Sequence, residues 1–451
     1  MHTPHIIGNY LTVLSPIEGA PAARVGLLAG DRIVKIDGRS AVGIKKVSEV
    51  TRRLKGPKGS RVRVFVQRKG QDDLLEFEIV RDRIEVPSVP YEFKVAPDIG
   101  YVKIDRFSTH TATELKAALE RLKKERISKL LLDLRGNGGG YLEQAVTVAD
   151  QFIEKDRLLV YTRGRRADSR ENHYTQHNPV VSPDMPLMVL VNSASASASE
   201  IVAGAVQDYD RGLIVGHTTF GKGLVQKQFL LKNGGAVLLT IARYFTPSDR
   251  PIQRPFVQGR DAYVDAAHDD YDPNADPDSI AAKPVYYTQI LHRKVYGSGG
   301  VTPDVALKRD TLNTSEKRLT WNHFFEFAHQ YAAEITRHYP EFDTFFKQYQ
   351  PDRRTLSAFR QFLRDQGVRF TDRDFKDSTD LIQREIRRHI AQIRWGRRAE
   401  GRVRISQDTE VTQALALFDQ AEALLASRTY HYNRGRTHVP APAAPRQGQI
   451  R

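Results

Sequence analysis

Hydrophobic and polar positions mark out distinct kinds of segment along this chain. In residues 10–14 apolar and polar side chains alternate as in a half-buried strand, and Ser15-Pro16 through Leu27 forms a short helical turn bracketed by Pro and Gly. A Gly30-Asp31 turn leads into a strand over 32–36, closed by Asp37-Gly38. Val47, Val50 and Leu54 then share one helix face, Gly56 and Gly59 end that helix, and 61–67 and 74–80 form two strands around Lys69-Gly70.

A Pro-containing linker at 86–90 separates this module from a longer pattern. A strand over 99–104 and a helix over 111–124 lead to the apolar run 129–134, the loop Arg135-Gly136-Asn137-Gly138-Gly139-Gly140, and a helix over 142–152. The strand 187–191, the small-residue segment 192–199 and the helix 200–209 repeat that order. A third strand, 212–215, passes through Thr218-Thr219-Phe220-Gly221-Lys222-Gly223 into a strand over 224–231, and Asn233-Gly234-Gly235 turns the chain back along 236–243. Repeated strand, loop and helix units predict an α/β core. From 312 to 425 the period is helical and rich in Phe, Gln and Arg, and beyond Thr429 the His, Pro, Ala and Arg composition predicts a disordered tail.

Composition narrows the class of protein. At roughly 100 to 200 residues per domain, 451 residues predict two to four domains. No apolar run approaches the roughly 18 residues of a membrane-spanning helix. The absence of cysteine excludes disulfides, thiolate metal sites and cysteine nucleophiles. A net charge of +15 raises the question of nucleic acid, yet the basic residues are spread along the chain. The densest group, 384–404, is interleaved with Ile386, Ile390 and Ile393 at helical spacing, so a solvated helix face is favoured over a nucleic-acid site. The start, Met1 to His5, lacks a charged segment followed by an apolar one, so no secretory signal is encoded there. Residues 259–283 form a polar, Asp-rich surface insertion. Asp272, Asn274, Asp276 and Asp278 alternate as calcium ligands do, but the glycine and closing glutamate of such a loop are missing, and no metal is expected.

Amide hydrolysis without a metal needs a nucleophile, a base and donors for a tetrahedral oxyanion. Ser193-Ala194-Ser195-Ala196-Ser197-Ala198-Ser199 runs into a helix beginning near Glu200, whose N-terminus carries free N–H groups and a positive dipole. Taken alone, Ser197 to Glu200 is a capping box and Gly221-Lys222-Gly223 a surface turn. In combination with Gln207-Asp208, Gly216, Thr219-Phe220 and Gln226, they resemble the C-terminal processing peptidases, the serine/lysine-dyad family that includes tail-specific protease. Asp133-Leu134-Arg135 with its glycines upstream, and Gly299-Gly300-Val301-Thr302-Pro303-Asp304 downstream, match the same family's motifs in order. Ser15-Pro16, Ala20-Pro21-Ala22, Gly26-Leu27, Ala29-Gly30-Asp31 and Ile36-Asp37-Gly38 resemble the PDZ domain of bacterial processing proteases.

That resemblance implies a multidomain α/β protein. Residues 1–85 are a PDZ-like, β-rich module, 86–309 a crotonase-like α/β protease core, 310–428 a helical C-terminal domain that packs on the core or mediates self-association, and 429–451 a disordered tail. Only Ile6-Ile7-Gly8 is available to form the carboxylate-receiving loop of the PDZ, so that module is expected to be truncated at its N-terminus. The family nucleophile lies 25 residues before the lysine, which selects Ser197 against Lys222 and leaves Ser195 and Ser199 as scaffold. Gln226 carries over as the residue orienting the lysine, and Asp208 as a supporting residue.

The chemistry is coherent with these roles. Lowering a lysine pKa by about three units means destabilising the ammonium by roughly 4 kcal/mol, which burial supplies. Gln226, four residues on along a strand, is expected on the same face as Lys222. The oxyanion is expected between the backbone N–H groups of Ala198 and Gly139. His173, His177 and His217 stand in no triad motif. The implied activity is serine endopeptidase cleavage of proteins near flexible, apolar C-terminal tails, without cofactor or nucleic acid, in the periplasm or otherwise outside the cytoplasm. The alternative is a catalytically impaired PDZ scaffold on the same fold.

Overall fold

The computed structural model of this chain describes residues 5–166, 169–256 and 283–436. The calcium-like positions Asp272 to Asp278 and residues 437–451 lie outside them. The chain divides into two compact units: Met1–Val86 with Asp310–Thr409, and Pro87–Arg309 with Glu410–Arg451.

In the first unit, β1 (His5–Ile7), β2 (Tyr10–Thr12), α1 (Pro21–Arg24), β3 (Arg32–Ile36), β4 (Arg39–Ser40), α2 (Val47–Leu54), β5 (Arg61–Gln67) and β6 (Leu75–Val80) build the PDZ-like module. Its sheet has the order β1-β2-β3-β5-β6, with β4 against β3. Alternation along β5 buries Val62, Val64 and Val66 against Ile33, Ile36 and Val50. Ile6-Ile7-Gly8, expected as a remnant loop, is instead an edge strand and a hairpin turn: His5 pairs with Thr12 and Ile7 with Tyr10.

The second unit holds β7 (Glu92–Lys94), β8 (Ile99–Lys103), α3 (Thr111–Lys124), β9 (Lys129–Asp133), α4 (Leu142–Ala149), β10 (Leu158–Arg163), β11 (Glu171–Tyr174), β12 (Leu187–Val191), α5 (Ala198–Asp208), β13 (Leu213–Gly216), β14 (Leu224–Leu230), β15 (Ala236–Phe245), β16 (Val285–Tyr287), β17 (Lys294–Tyr296) and β18 (Val305–Ala306). A central sheet of order β18-β13-β12-β9-β8-β7 is parallel from β18 to β8, with β7 antiparallel at one edge. Strands covered on both faces read as continuous apolar runs, and the five residues of β12 are all buried. Every residue of α5 is buried as well, so this helix runs through the core rather than over it. A second sheet has the order β11-β10-β15-β14, with β14 at its edge among the described residues.

Helices α6 (Trp321–Ile335), α7 (Phe342–Gln348), α8 (Arg353–Asp365), α9 (Asp372–Asp377), α10 (Thr379–Ser406), α11 (Thr409–Leu415) and α12 (Phe418–Arg436) follow. Gly396, at φ 79° and ψ −167°, breaks α10 into two segments, where one amphipathic helix over 384–404 was expected. Ile386 and Ile390 are buried as that pattern requires. The helical region divides between the units: α6 to α10 belong with the PDZ-like module, whereas the chain from Glu410 onward belongs with the core. Helix α12 continues to Arg436, so residues 429–436 are helical where a disordered tail was expected to begin.

Candidate active site

Three loops leave the carboxyl ends of adjacent parallel strands at one level, because Leu190 pairs with Asp133 and Val191 with Gly216. In open α/β sheets this is where ligands bind. The loop after β9 carries the glycines, that after β12 the serines, and that after β13 Lys222. Backbone and side-chain bonds fasten them to one another. Ser195 Oγ donates to Leu134 O (2.9 Å), Ser199 Oγ to Asn137 O (2.9 Å) and Ala196 N–H to Asn137 O (2.9 Å). Both flanking serines therefore spend their hydroxyls on tying the serine loop to the glycine loop.

Ser197 sits at the strand-to-helix turn with φ 57° and ψ −112°, a conformation that a residue with a side chain adopts only when its surroundings enforce it. A plain helix cap has no need of this strain; a nucleophile raised on an elbow does. The next residue, Ala198, is the first of α5, and its N–H has no acceptor among the described residues. It is an open donor beside the serine at the positive end of a buried helix.

Glu200 binds this loop to the lysine loop. Its carboxylate is fully buried. Oε2 accepts the N–H groups of Ser197 (2.8 Å) and Lys222 (2.8 Å), while Oε1 accepts the Gly221 N–H (2.7 Å) and the Thr219 hydroxyl (2.6 Å). Burial pushes the Glu200 carboxyl above the usual glutamate range, against the pull of its donors. The Phe220 N–H adds a bond to Ser195 O (3.0 Å).

The other expected residues are placed less uniformly. The Lys222 side chain is exposed, and no hydrogen bond joins it to Ser197 among the described residues. The burial expected of it is thus absent. Gln226 is exposed too, and a bulge between Val225 and Gln226 interrupts the alternation that was to put it on the face of Lys222. Gly139 does lie against the serine: a Cβ there would fall 2.8 Å from Ser197 Cβ and 2.7 Å from Ala196 O. Its N–H, expected to be open, instead donates to Asn137 Oδ1 at 2.9 Å. Asp208 closes the far end of α5, pairing with Arg250 (2.8 Å) and accepting the Ser248 N–H (2.9 Å), so it braces the fold. His217 is buried with Nε2 3.0 Å from Glu410 Oε1, and His177 bonds Asp150. Glu200 was visible in the sequence only as a cap, and Glu410 not at all.

A strained serine, a glycine loop and a lysine loop are thus gathered at the carboxyl ends of a parallel sheet in an α/β fold. Residues 98–259 match the model of peptidase family S41, residues 12–68 that of the PDZ domain, and residues 313–396 that of a family of unknown function. Residues 98–259 are thus similar to S41 peptidases and residues 12–68 to PDZ domains, and the likeness of the chain is to the carboxyl-terminal-processing proteases. It is 41% identical over 255 residues to the carboxy-terminal-processing protease of Bartonella bacilliformis, covering 54% of this chain and 56% of that protein. It is 36% identical over 250 residues to the carboxyl-terminal-processing protease of a Picosynechococcus species, covering 54% and 59%. The chain therefore spans little more than half the length of these curated relatives. Among solved structures, the photosystem II D1 C-terminal processing protease aligns at 29% identity over 68% of this chain and 70% of that one, with a TM-score of 0.37. Among the described residues no helix is long and apolar enough to cross a membrane, and no group of His, Cys, Asp and Glu could hold a metal ion.

Proposed function

We propose that this protein is a serine endopeptidase that cuts proteins near flexible, apolar C-terminal tails with Ser197 as nucleophile and Lys222 as base. The observation that carries the reading is the Glu200 carboxylate, which holds the backbones of both residues on one oxygen. Lys222, as free amine, takes the proton of Ser197 Oγ as that oxygen adds to the scissile carbonyl carbon. The Ala198 N–H receives the oxyanion, joined by the Gly139 N–H as it leaves Asn137 Oδ1. Collapse breaks the C–N bond, Lys222 returns the proton to the departing amine, and water releases the acyl group by the same path. The Lys222 side chain is exposed, and a substrate laid over it supplies the burial that a free amine requires. β14, which begins two residues after Lys222 and is an edge strand among the described residues, offers backbone groups for such an extended strand.

Incubation with an unstructured protein ending in an apolar tail, with products read by mass spectrometry, tests this. The wild type is expected to cut it and Ser197→Ala and Lys222→Ala are not; equal, background cleavage by all three ends the peptidase reading in favour of a scaffold. The likeness to processing proteases supports a location outside the cytoplasm, in the periplasm, which cell fractionation checks.

A further inference from the structure

Glu410 lies in the first turn of α11, in a stretch that falls in neither the span matched by the S41 model nor that matched by the family of unknown function. Its carboxylate nevertheless reaches both loops that carry the chemistry. Oε2 lies 2.8 Å from Arg135 Nη1 and Oε1 lies 3.0 Å from His217 Nε2. Arg135 is the first residue of the glycine loop, four before Gly139, and His217 is the first of the lysine loop, five before Lys222. All three side chains are largely withdrawn from solvent, at 15%, 13% and 3% exposure.

The rest of the cluster explains why Arg135 needs a second carboxylate. Asp133 already accepts from the Arg135 guanidinium (2.7 Å) and N–H (2.8 Å), from Tyr101 Oη (2.7 Å) and from Lys103 Nζ (3.2 Å). Asp133 is thus shared between two cations, and Glu410 balances the remaining charge. Helix α11 is itself fixed. Gln413 exchanges two hydrogen bonds with the Lys308 backbone, Oε1 accepting its N–H (2.9 Å) and Nε2 donating to its carbonyl (3.0 Å). The preceding residue, Leu307, donates its N–H to Gly216 O (3.1 Å), and Val411 and Ala414 are buried.

We propose that Glu410 is a positioning residue of the active site, holding the root of the glycine loop and the root of the lysine loop in register from a helix outside the peptidase-matching span. The proposal rests on the peptidase reading for its kinetic consequence and on geometry alone for its structural one. Loops held about an ångström out of place lose rate rather than affinity, so the effect falls on kcat.

The experiment compares wild type, Glu410→Gln, Glu410→Asp and, as a control, Glu422→Gln, whose carboxylate pairs with Lys129 on the surface. Each folded protein is assayed for cleavage and for backbone amide exchange. Glu410→Gln is expected to lower kcat between about tenfold and a hundredfold with KM little changed. It is also expected to speed exchange at the amides of 136–140 and 219–222 while β12 keeps its protection. Glu410→Asp, which retains the charge, recovers part of both and stands in should Glu410→Gln not fold. Glu422→Gln matches wild type in each. Unchanged kcat with unchanged loop exchange overturns the proposal, as does acceleration spread over the whole core, the mark of a merely structural ion pair. If wild type and Ser197→Ala are equally inert, the peptidase reading falls while the exchange data still decide the role of Glu410.

Discussion

Ser197 and Lys222 donate their backbone N–H groups to the same oxygen, Glu200 Oε2, at 2.8 Å each. The two nitrogens consequently lie no more than twice that distance apart, whatever the Lys222 side chain is doing. Glutamine at 200 keeps the shape but replaces one acceptor oxygen with a donor, leaving buried N–H groups facing another N–H. Glu200→Gln is expected to destabilise the protein by about 2 kcal/mol and to cut kcat/KM by about a hundredfold or more. Urea denaturation alongside cleavage kinetics checks both, and a variant with wild-type kinetics would show that the shared carboxylate has no part in the chemistry.

The glycine loop offers a sharper pair. Gly139 has φ +97° and no room for a Cβ beside Ala196 O and Ser197, whereas nothing lies within 4 Å of a Cβ at Gly138. Gly139→Ala is expected to lose at least about 1 kcal/mol of stability and most activity, because the methyl group displaces the serine loop. Gly138→Ala is expected to retain both. Equal kinetics for the two variants would mean that close approach of this loop to Ser197 is not required.

Much of this site was legible in the sequence, for identifiable reasons. The β9, β12 and β13 strands are continuous apolar runs followed by small residues, so the order of strand, loop and helix stands out along the chain. The 25-residue spacing that the family resemblance implies points to Ser197, the serine with positive φ in a run in which Ser195 and Ser199 look the same. Strand periodicity failed for Gln226 because a bulge is set by the partner strand. The open N–H at Gly139 failed because an Asn two residues earlier competes for it locally. Glu410 could not be read at all, since its partners Arg135 and His217 lie 275 and 193 residues away.

Asp208 separates support from catalysis. It is fully buried, paired with Arg250, and at the opposite end of α5 from Ser197. Removing one partner of such a pair leaves a buried charge uncompensated, so Asp208→Asn is expected to cost about 3 kcal/mol of stability. The kcat of the fraction that remains folded should match wild type. Thermal unfolding and active-site-normalised kinetics at low temperature check this, and a loss of kcat in fully folded protein would make Asp208 part of the machinery after all.

Acid should loosen the cluster at the loop roots. Burial alone would raise the Glu410 and Asp133 carboxyls, but hydrogen bonds and charge from His217 and Arg135 on Glu410, and the charges of Arg135 and Lys103 on Asp133, hold both below their ordinary values. A group whose folded pKa is depressed contributes its stability above the unfolded pKa and loses it as pH falls toward the folded one. The unfolded chain binds protons at these two carboxyls near pH 4.5 and 3.8 while the folded protein resists them. Stability should therefore hold from pH 7 to about 5 and fall below that, each such carboxyl adding at most about 1.4 kcal/mol per pH unit to the slope. Glu410→Gln lacks one of the two groups, so its deficit relative to wild type should shrink as pH drops below 4.5. Urea midpoints between pH 7 and 4 for the two proteins test the sign, and a deficit that stays constant over that range would show that the Glu410 charge does not contribute to holding the loops.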